Sequence, residues 1–182
     1  MKRILVVIDM QNDFINGSLG SSDAEAVVAP TVRKIREYAS DPEAGVFATM
    51  DSHGEDYLQT AEGKGLPVPH CVKGTRGWEL HPDVRDALPK EAVVVGKPTF
   101  GSYDLVSALI GKASEEGGAD LDVEIVGLCT DVCVISNALM IKAALPEARI
   151  RVRTDCCAGT SKEAHEAALT AMRSCQIGVD DG

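Results

Sequence analysis

Short apolar runs alternate with helix-like stretches along almost the whole of this chain, and that alternation constrains its fold more than any other feature. RILVVI at 3–8 is a β-branched run, and GVFATM (45–50), AVVVG (92–96), VEIVG (123–127) and ARIRVRT (148–154) follow it. QIGV at 176–179 makes a short sixth. Between them, helical spacing covers 24–39, 104–118, 132–145 and 161–175. Pro30 suits a first helical turn, Asp104 and Ser161 suit caps, and Gly117–Gly118 suits a stop. Strands alternating with helices are βαβ units. The expected fold is therefore a three-layer α/β/α, Rossmann-like arrangement on a mostly parallel six-stranded sheet, with right-handed crossovers.

Residues 51–90 break the pattern, being rich in Gly, Pro and His with little periodicity. Stretches of that length inside a compact domain tend to be functional or disordered, and the histidines and prolines here favour functional. The chain carries no internal repeat, low-complexity tract or linker. At 182 residues it suits one domain over 1–182, with the 51–90 loop as an insert.

The net charge of −10 disfavours a nucleic-acid partner, because a negative field repels phosphate backbones. Asp9 interrupts the first apolar run too early for a signal-peptide core or a membrane span, and no later run reaches about 18 apolar residues. A cytoplasmic location without membrane contact is expected. A reducing cytosol argues against a disulfide framework for Cys71, Cys129, Cys133, Cys156, Cys157 and Cys175. Their spacing also lacks the paired C-x-x-C pattern of structural zinc sites.

Ligands of open α/β sheets bind beyond the carboxyl ends of the strands. The first strand ends in Asp9, the second in Asp51-Ser52-His53 and the third in Gly96-Lys97. The fourth leads into GLCTDVCV at 127–134. Taken singly, Asp9 reads as a turn residue, Lys97 as a solvated lysine and Cys133 as a small buried hydrophobe. Together they put an acid, an ammonium and a thiol on one rim. A cysteine attacks as the thiolate, so a lowered pKa is expected for Cys133. Thr130 or Asp131 capping the following helix would set Cys133 in its first turn, where the dipole favours an anion. Asp9 could take the thiol proton and later give it to a leaving amine. Of the remaining histidines, His81 reads as structural and His165 as solvent-facing.

A second cluster is Asp51-x-His53 with His70. Residues two apart on an extended segment point the same way. With Glu62 from the same loop they form a carboxylate–imidazole set suited to zinc, iron or manganese. Glu55 and Asp56 read as solvated, and Cys71 as packing.

The blocks VVIDMQNDF (6–14), TMDSH (49–53), PHCVKGTRGWELHP (69–82), GKPTFGSY (96–103), GLCTDVCV (127–134) and TDCCAGTSKEAHEAALTAM (154–172) together resemble the isochorismatase-like cysteine hydrolases. Within that family, the D-x-H…H insert points to nicotinamidases. The resemblance implies a catalytic triad of Asp9, Lys97 and Cys133. It implies one divalent metal ion, zinc foremost with iron or manganese as alternatives. Asp51, His53 and His70 would hold it, with Glu62 standing where many relatives carry a third histidine. It further implies an oxyanion hole from the backbone N–H groups of Cys129 and Cys133, set by a cis Leu128–Cys129 peptide, and Phe14 in a ring pocket. A second aromatic that relatives often carry before the P-H pair is replaced by Leu66-Pro67-Val68-Pro69. Trp78 reads as loop packing. The implied reaction is hydrolysis of a small-molecule amide, nicotinamide, to nicotinate and ammonia through a cysteine thioester, in a homo-oligomer. Two other readings stay open: a cysteine amidohydrolase of the same fold acting on a carbamoyl or ureido compound, and a non-enzymatic metal- or small-molecule-binding module.

Overall fold

A computed structural model describes residues 1–115 and 121–180. Six parallel strands run in the spatial order β3-β2-β1-β4-β5-β6. They are β1 (Lys2–Ile8), β2 (Gly45–Asp51), β3 (Val93–Lys97), β4 (Leu121–Leu128), β5 (Arg149–Ala158) and β6 (Gly178–Asp180). The chain starts mid-sheet, winds outward to β3, then returns beside β1 with β4 and winds outward the other way. The reversal lies between β1 and β4, and a doubly wound sheet opens its ligand crevice at that point.

Both faces are covered. Ile4, Val6 and Ile8 of β1 pack into one core with Val123 and Ile125, while Leu5 and Val7 enter a second core on the opposite face. That period of two is the pleat of a strand buried on both sides. The first core is closed by α6 (Tyr103–Glu115), α7 (Ile135–Ala144) and α8 (Lys162–Ser174). The second is closed by α1 (Asn12–Ile15), α2 (Ser22–Ala26), α3 (Val28–Ala39) and α5 (Pro82–Ala87). Among the described residues no helix is long and apolar enough to cross a membrane.

Helix boundaries follow local chemistry. α3 buries Val28, Thr31, Val32, Ile35 and Tyr38, a single stripe at helical spacing. The stretch expected as one helix over 24–39 is two, α2 and α3, with Pro30 in the first turn of α3, where its missing N–H costs nothing. In α8, Ser161 caps as expected, accepting from the Ala164 N–H at 3.1 Å. Burial of Leu169 and Met172 in α8 contributes about 1.5–3 kcal/mol each. Asp104 is not the cap of α6. Ser102 holds that place, its Oγ accepting from the Leu105 N–H at 3.1 Å, because Asp104 already lies within the first turn. The expected stop at Gly117–Gly118 falls outside the described residues.

The 51–90 insert is less irregular than its composition implies. It holds a single 3-10 turn (Tyr57–Gln59), α4 (Ala61–Gly65) and α5. His81 caps α5, its Nδ1 accepting from the Asp83 N–H at 3.3 Å. Gly127 sits at a register shift between β4 and β5 with φ of 119°, and a Cβ there would collide with the Ile8 carbonyl oxygen. Glycine is what lets the end of β4 press against the end of β1.

Candidate active site

Asp9 follows β1 in the left-handed region at φ 48°, uncommon for a non-glycine residue. Its N–H meets Thr49 O and Thr49 Oγ1, each at 3.2 Å, and its own carbonyl accepts from the Gln11 N–H at 2.7 Å. The chain thus turns away from the sheet at Asp9 and leaves the carboxyl fully buried. Lys97, ending β3 and 1% exposed, extends its ammonium to the same point. Its Nζ lies 2.7 Å from Asp9 Oδ2, 3.3 Å from Asp51 Oδ1 and 3.5 Å from Cys133 Sγ, and donates to Thr99 O at 3.0 Å.

Cys133 does not stand in the first turn of a regular capped α-helix. Thr130–Val134 form a π-helical turn that runs on into α7. Neither Thr130 nor Asp131 caps it. Asp131 instead accepts from the Thr160 N–H at 2.8 Å and the Thr160 hydroxyl at 2.5 Å, tying down the loop after β5. Thr130 Oγ1 is bonded to His165 Nδ1 at 2.8 Å, so His165 is half-buried rather than solvent-facing. Asn137 holds the turn from inside. Its Nδ2 donates to Cys133 O at 2.8 Å and Phe100 O at 3.0 Å, while its Oδ1 accepts from the Ser102 N–H at 3.0 Å. The Leu128–Cys129 peptide is cis. All six cysteines are free.

The expected lowering of the Cys133 pKa is overturned. Burial pushes the thiol well up, Asp9 pushes it further, and Lys97 offsets only part of this. Burial also raises Asp9, against the pull of Lys97. For Lys97 burial acts downward, yet Asp9, Cys133 and Asp51 outweigh it and the net shift is upward. These shifts favour the thiol form of Cys133 beside a charged Lys97 ammonium, with the Asp9 carboxyl adjacent to that ammonium. A helix dipole is weak against such desolvation.

The second cluster assembles as the spacing implies. His53 Nε2 lies 2.8 Å from Asp51 Oδ2 and 3.6 Å from Glu62 Oε1. His70 Nε2 lies 3.4 Å and 3.7 Å from the same two atoms. Ligand atoms of all four residues fall within 4.8 Å of one another, and Cys71 is not among them. Val68 O fixes the His70 ring by accepting from Nδ1 at 2.8 Å, which turns the Nε2 lone pair to the cluster. Such outer-sphere bonds are how proteins orient metal-binding imidazoles. Burial and the nearby Asp51 raise Glu62, the strain a cation between two carboxylates would relieve. Two imidazole nitrogens and two carboxylate oxygens on one point fit zinc, iron or manganese.

Gln11 clamps this cluster to the sheet, an arrangement its sequence position did not disclose. Its side-chain amide donates to Asp51 O at 2.8 Å and accepts from the Asp51 N–H at 2.7 Å, completing a strand-like pair with a side chain. Gln11 stands in a largely polar run, Asp9-Met10-Gln11-Asn12-Asp13, that gave no sign of which strand its amide would meet.

One cleft of about 350 Å³ adjoins both clusters. Cys133, Asp51, Glu62 and His70 line it, with Phe14, Leu66, Phe100 and Val132 among its apolar walls. The Phe14 ring lies 5.4 Å from that of His70. Trp78 packs in the loop, its Nε1 donating to Ser52 Oγ at 2.8 Å.

The sheet is an open, doubly wound α/β sheet that brings a thiol, an ammonium and a carboxylate together at its strand ends. Residues 3–180 match the Isochorismatase domain, and the chain belongs to that family. It is 30% identical to the nicotinamidase/pyrazinamidase of Mycobacterium tuberculosis, over 96% of each chain. Its fold superposes on the pyrazinamidase of Pyrococcus horikoshii in complex with zinc at a TM-score of 0.82, with 28% identity over 99% of both chains. It is also similar to the N-carbamoylsarcosine amidase of Thermoplasma acidophilum, at a TM-score of 0.77 and 26% identity over 100% of this chain and 96% of the other.

Proposed function

We propose that this chain is a single-domain nicotinamidase, which hydrolyses nicotinamide to nicotinate and ammonia through a thioester on Cys133. The observation that carries this reading is the shared cleft: Cys133 and the Asp51–Glu62–His70 side of the metal-type cluster line one apolar-walled space. Such a space takes a flat heteroaromatic ring at one end and its carboxamide at the other.

The Cys133 proton passes to Asp9 as the sulfur attacks the carboxamide carbon. Backbone N–H groups of Cys129 and Cys133 hold the oxyanion that forms, each such donor contributing about 3–4 kcal/mol. The C–N bond then breaks, and the proton on Asp9 goes to the departing nitrogen, releasing ammonia. Water adds to the thioester, giving a proton to Asp9. The C–S bond breaks, the proton on Asp9 goes to the Cys133 sulfur, and the acid released loses its carboxyl proton to water as nicotinate. Lys97 stays charged throughout and stabilises the carboxylate and thiolate in turn. Phe14 and the apolar walls exclude water and orient the ring. Asp51, His53, Glu62 and His70 would hold one divalent cation, which when bound supplies a Lewis-acid contact for the ring nitrogen.

The second reading, an amidase for carbamoyl or ureido compounds, is supported by the likeness to the N-carbamoylsarcosine amidase. Ammonia release from nicotinamide and from carbamoyl and ureido compounds, with and without chelator, separates the two. Release from nicotinamide that falls on chelation supports the nicotinamidase. Chelator-insensitive release from a non-pyridine amide alone overturns it.

A further inference from the structure

Asp9 has two carboxyl oxygens, and the proton relay above needs one of them in a fixed place. Oδ1 accepts from the Thr49 hydroxyl at 2.7 Å. Thr49 Oγ1 also faces the Asp9 N–H at 3.2 Å, so a lone pair is turned to that donor and the hydroxyl hydrogen to Oδ1. Thr49 is wholly buried and stands on β2, next to β1 in the sheet, so no water competes for either contact. Oδ2 is different. It is buried and pairs with the Lys97 ammonium, whose Nζ lies 2.7 Å away.

We propose that Thr49 is a positioning residue: by tying down Oδ1 across the β1–β2 pair, it keeps Oδ2 beside the Lys97 ammonium that also faces Cys133, as the Asp9 oxygen that takes the Cys133 proton and returns it to the leaving amine. The inference rests on the cysteine-hydrolase reading of the site but not on nicotinamide as the substrate. Without the hydroxyl, the carboxyl can rotate about its last bond, both oxygens compete for Lys97, and the relay atom is no longer fixed beside the ammonium that faces the thiol. Substrate contacts are untouched, because Thr49 does not line the cleft.

The test compares Thr49→Val, close in shape but without the hydroxyl, with Thr49→Ser, which keeps it. Ammonia release is measured from nicotinamide and from carbamoyl and ureido compounds, alongside metal content, since Thr49 lies two residues before Asp51. A hydrogen bond to a charged group sets the expected loss at about 10- to 100-fold in kcat for Thr49→Val, with KM within about 2-fold. Thr49→Ser should stay within about 3-fold of the parent in kcat, and metal content should be equal in all three. If the valine variant does not fold, Thr49→Ala carries the same comparison. Unchanged kcat in the valine variant, a serine variant as weak as valine, or metal loss that parallels the activity loss overturns the proposal. The Thr49 pattern on a carbamoyl or ureido compound, without activity on nicotinamide, overturns only the substrate reading. Release from none of these amides overturns both.

Discussion

Asp51 Oδ1 lies 3.3 Å from Lys97 Nζ, and the two residues face each other in the β2–β3 register. The other oxygen of Asp51 lies 2.8 Å from His53 Nε2. One carboxylate therefore belongs to both clusters, and strand pairing fixes it there. Burial works against its ionisation, yet His53, His70 and Lys97 outweigh that and hold Asp51 well below the usual carboxylate range.

Asp51→Asn is thus expected to damage two functions at once. Metal affinity should fall by at least about 10- to 100-fold, the loss usual for outer-sphere changes alone. Saturating metal should not restore full turnover, because Lys97 keeps a weaker partner. Calorimetric metal titration and ammonia release check this. Full rescue by excess metal would show that the Asp51–Lys97 contact is idle.

The two cysteines of GLCTDVCV should separate cleanly. Cys133→Ala removes the nucleophile and should bring kcat to background with folding intact. Cys129→Ala should keep kcat within about 3-fold, because only its backbone N–H is assigned a role. Burial, then Asp131 and Asp9, push the Cys129 thiol up to about 12, whereas the Cys133 sulfur has the Lys97 ammonium at 3.5 Å to support its thiolate. Single-turnover trapping of a thioester, located by peptide mass, decides the matter. A thioester on Cys129 would exchange the two roles.

The strand-end residues were legible because sheet topology dictates where strand ends go: Asp9, Lys97 and Cys133 converge through β1, β3 and β4 without help from side-chain detail. The same logic brought Asp51 and His53 together. What stayed hidden depends on contacts between segments distant in sequence. Asp131 looked like a cap until Thr160, 29 residues away, proved its partner. The Cys133 shift had the wrong sign because burial of a whole site is invisible in one segment. Thr49 and Asn137 are ordinary strand and helix residues until their buried partners are known.

Leu66 lines the cleft and is 40% exposed. Leu66→Phe should therefore add a ring face for the substrate. An aromatic pair contributes about 0.5–1.5 kcal/mol beyond area, which is about 2- to 12-fold in KM. kcat should not move, because the gain is equal in ground and transition states. Steady-state kinetics on nicotinamide read both constants. A fall in kcat with KM unchanged would mean the mouth controls release rather than ring binding.

Stability is expected to depend on a pair remote from the cleft. Tyr38 on α3 donates its hydroxyl to Glu124 Oε2 at 2.6 Å, and Glu124 on β4 is 2% exposed. Lys34, Arg151 and Arg153 lie 3.5–3.7 Å from the same carboxylate, close enough to attract it but not to replace an aligned bond. Burial, then Glu124, holds the Tyr38 hydroxyl far above the usual phenol range, so it remains a donor at all physiological pH. Tyr38→Phe removes that donor and leaves a buried charge short of one bond, at a cost of about 1.5–3 kcal/mol. For a chain of this length Tm should fall by about 2–4 °C for each kcal/mol. Glu124 lies four residues before Leu128, at the far side of the strand from the cleft, so kcat and KM should hold. Differential scanning calorimetry with parallel kinetics tests the separation. A loss of activity without a loss of Tm would mean that α3 reaches the site through the sheet.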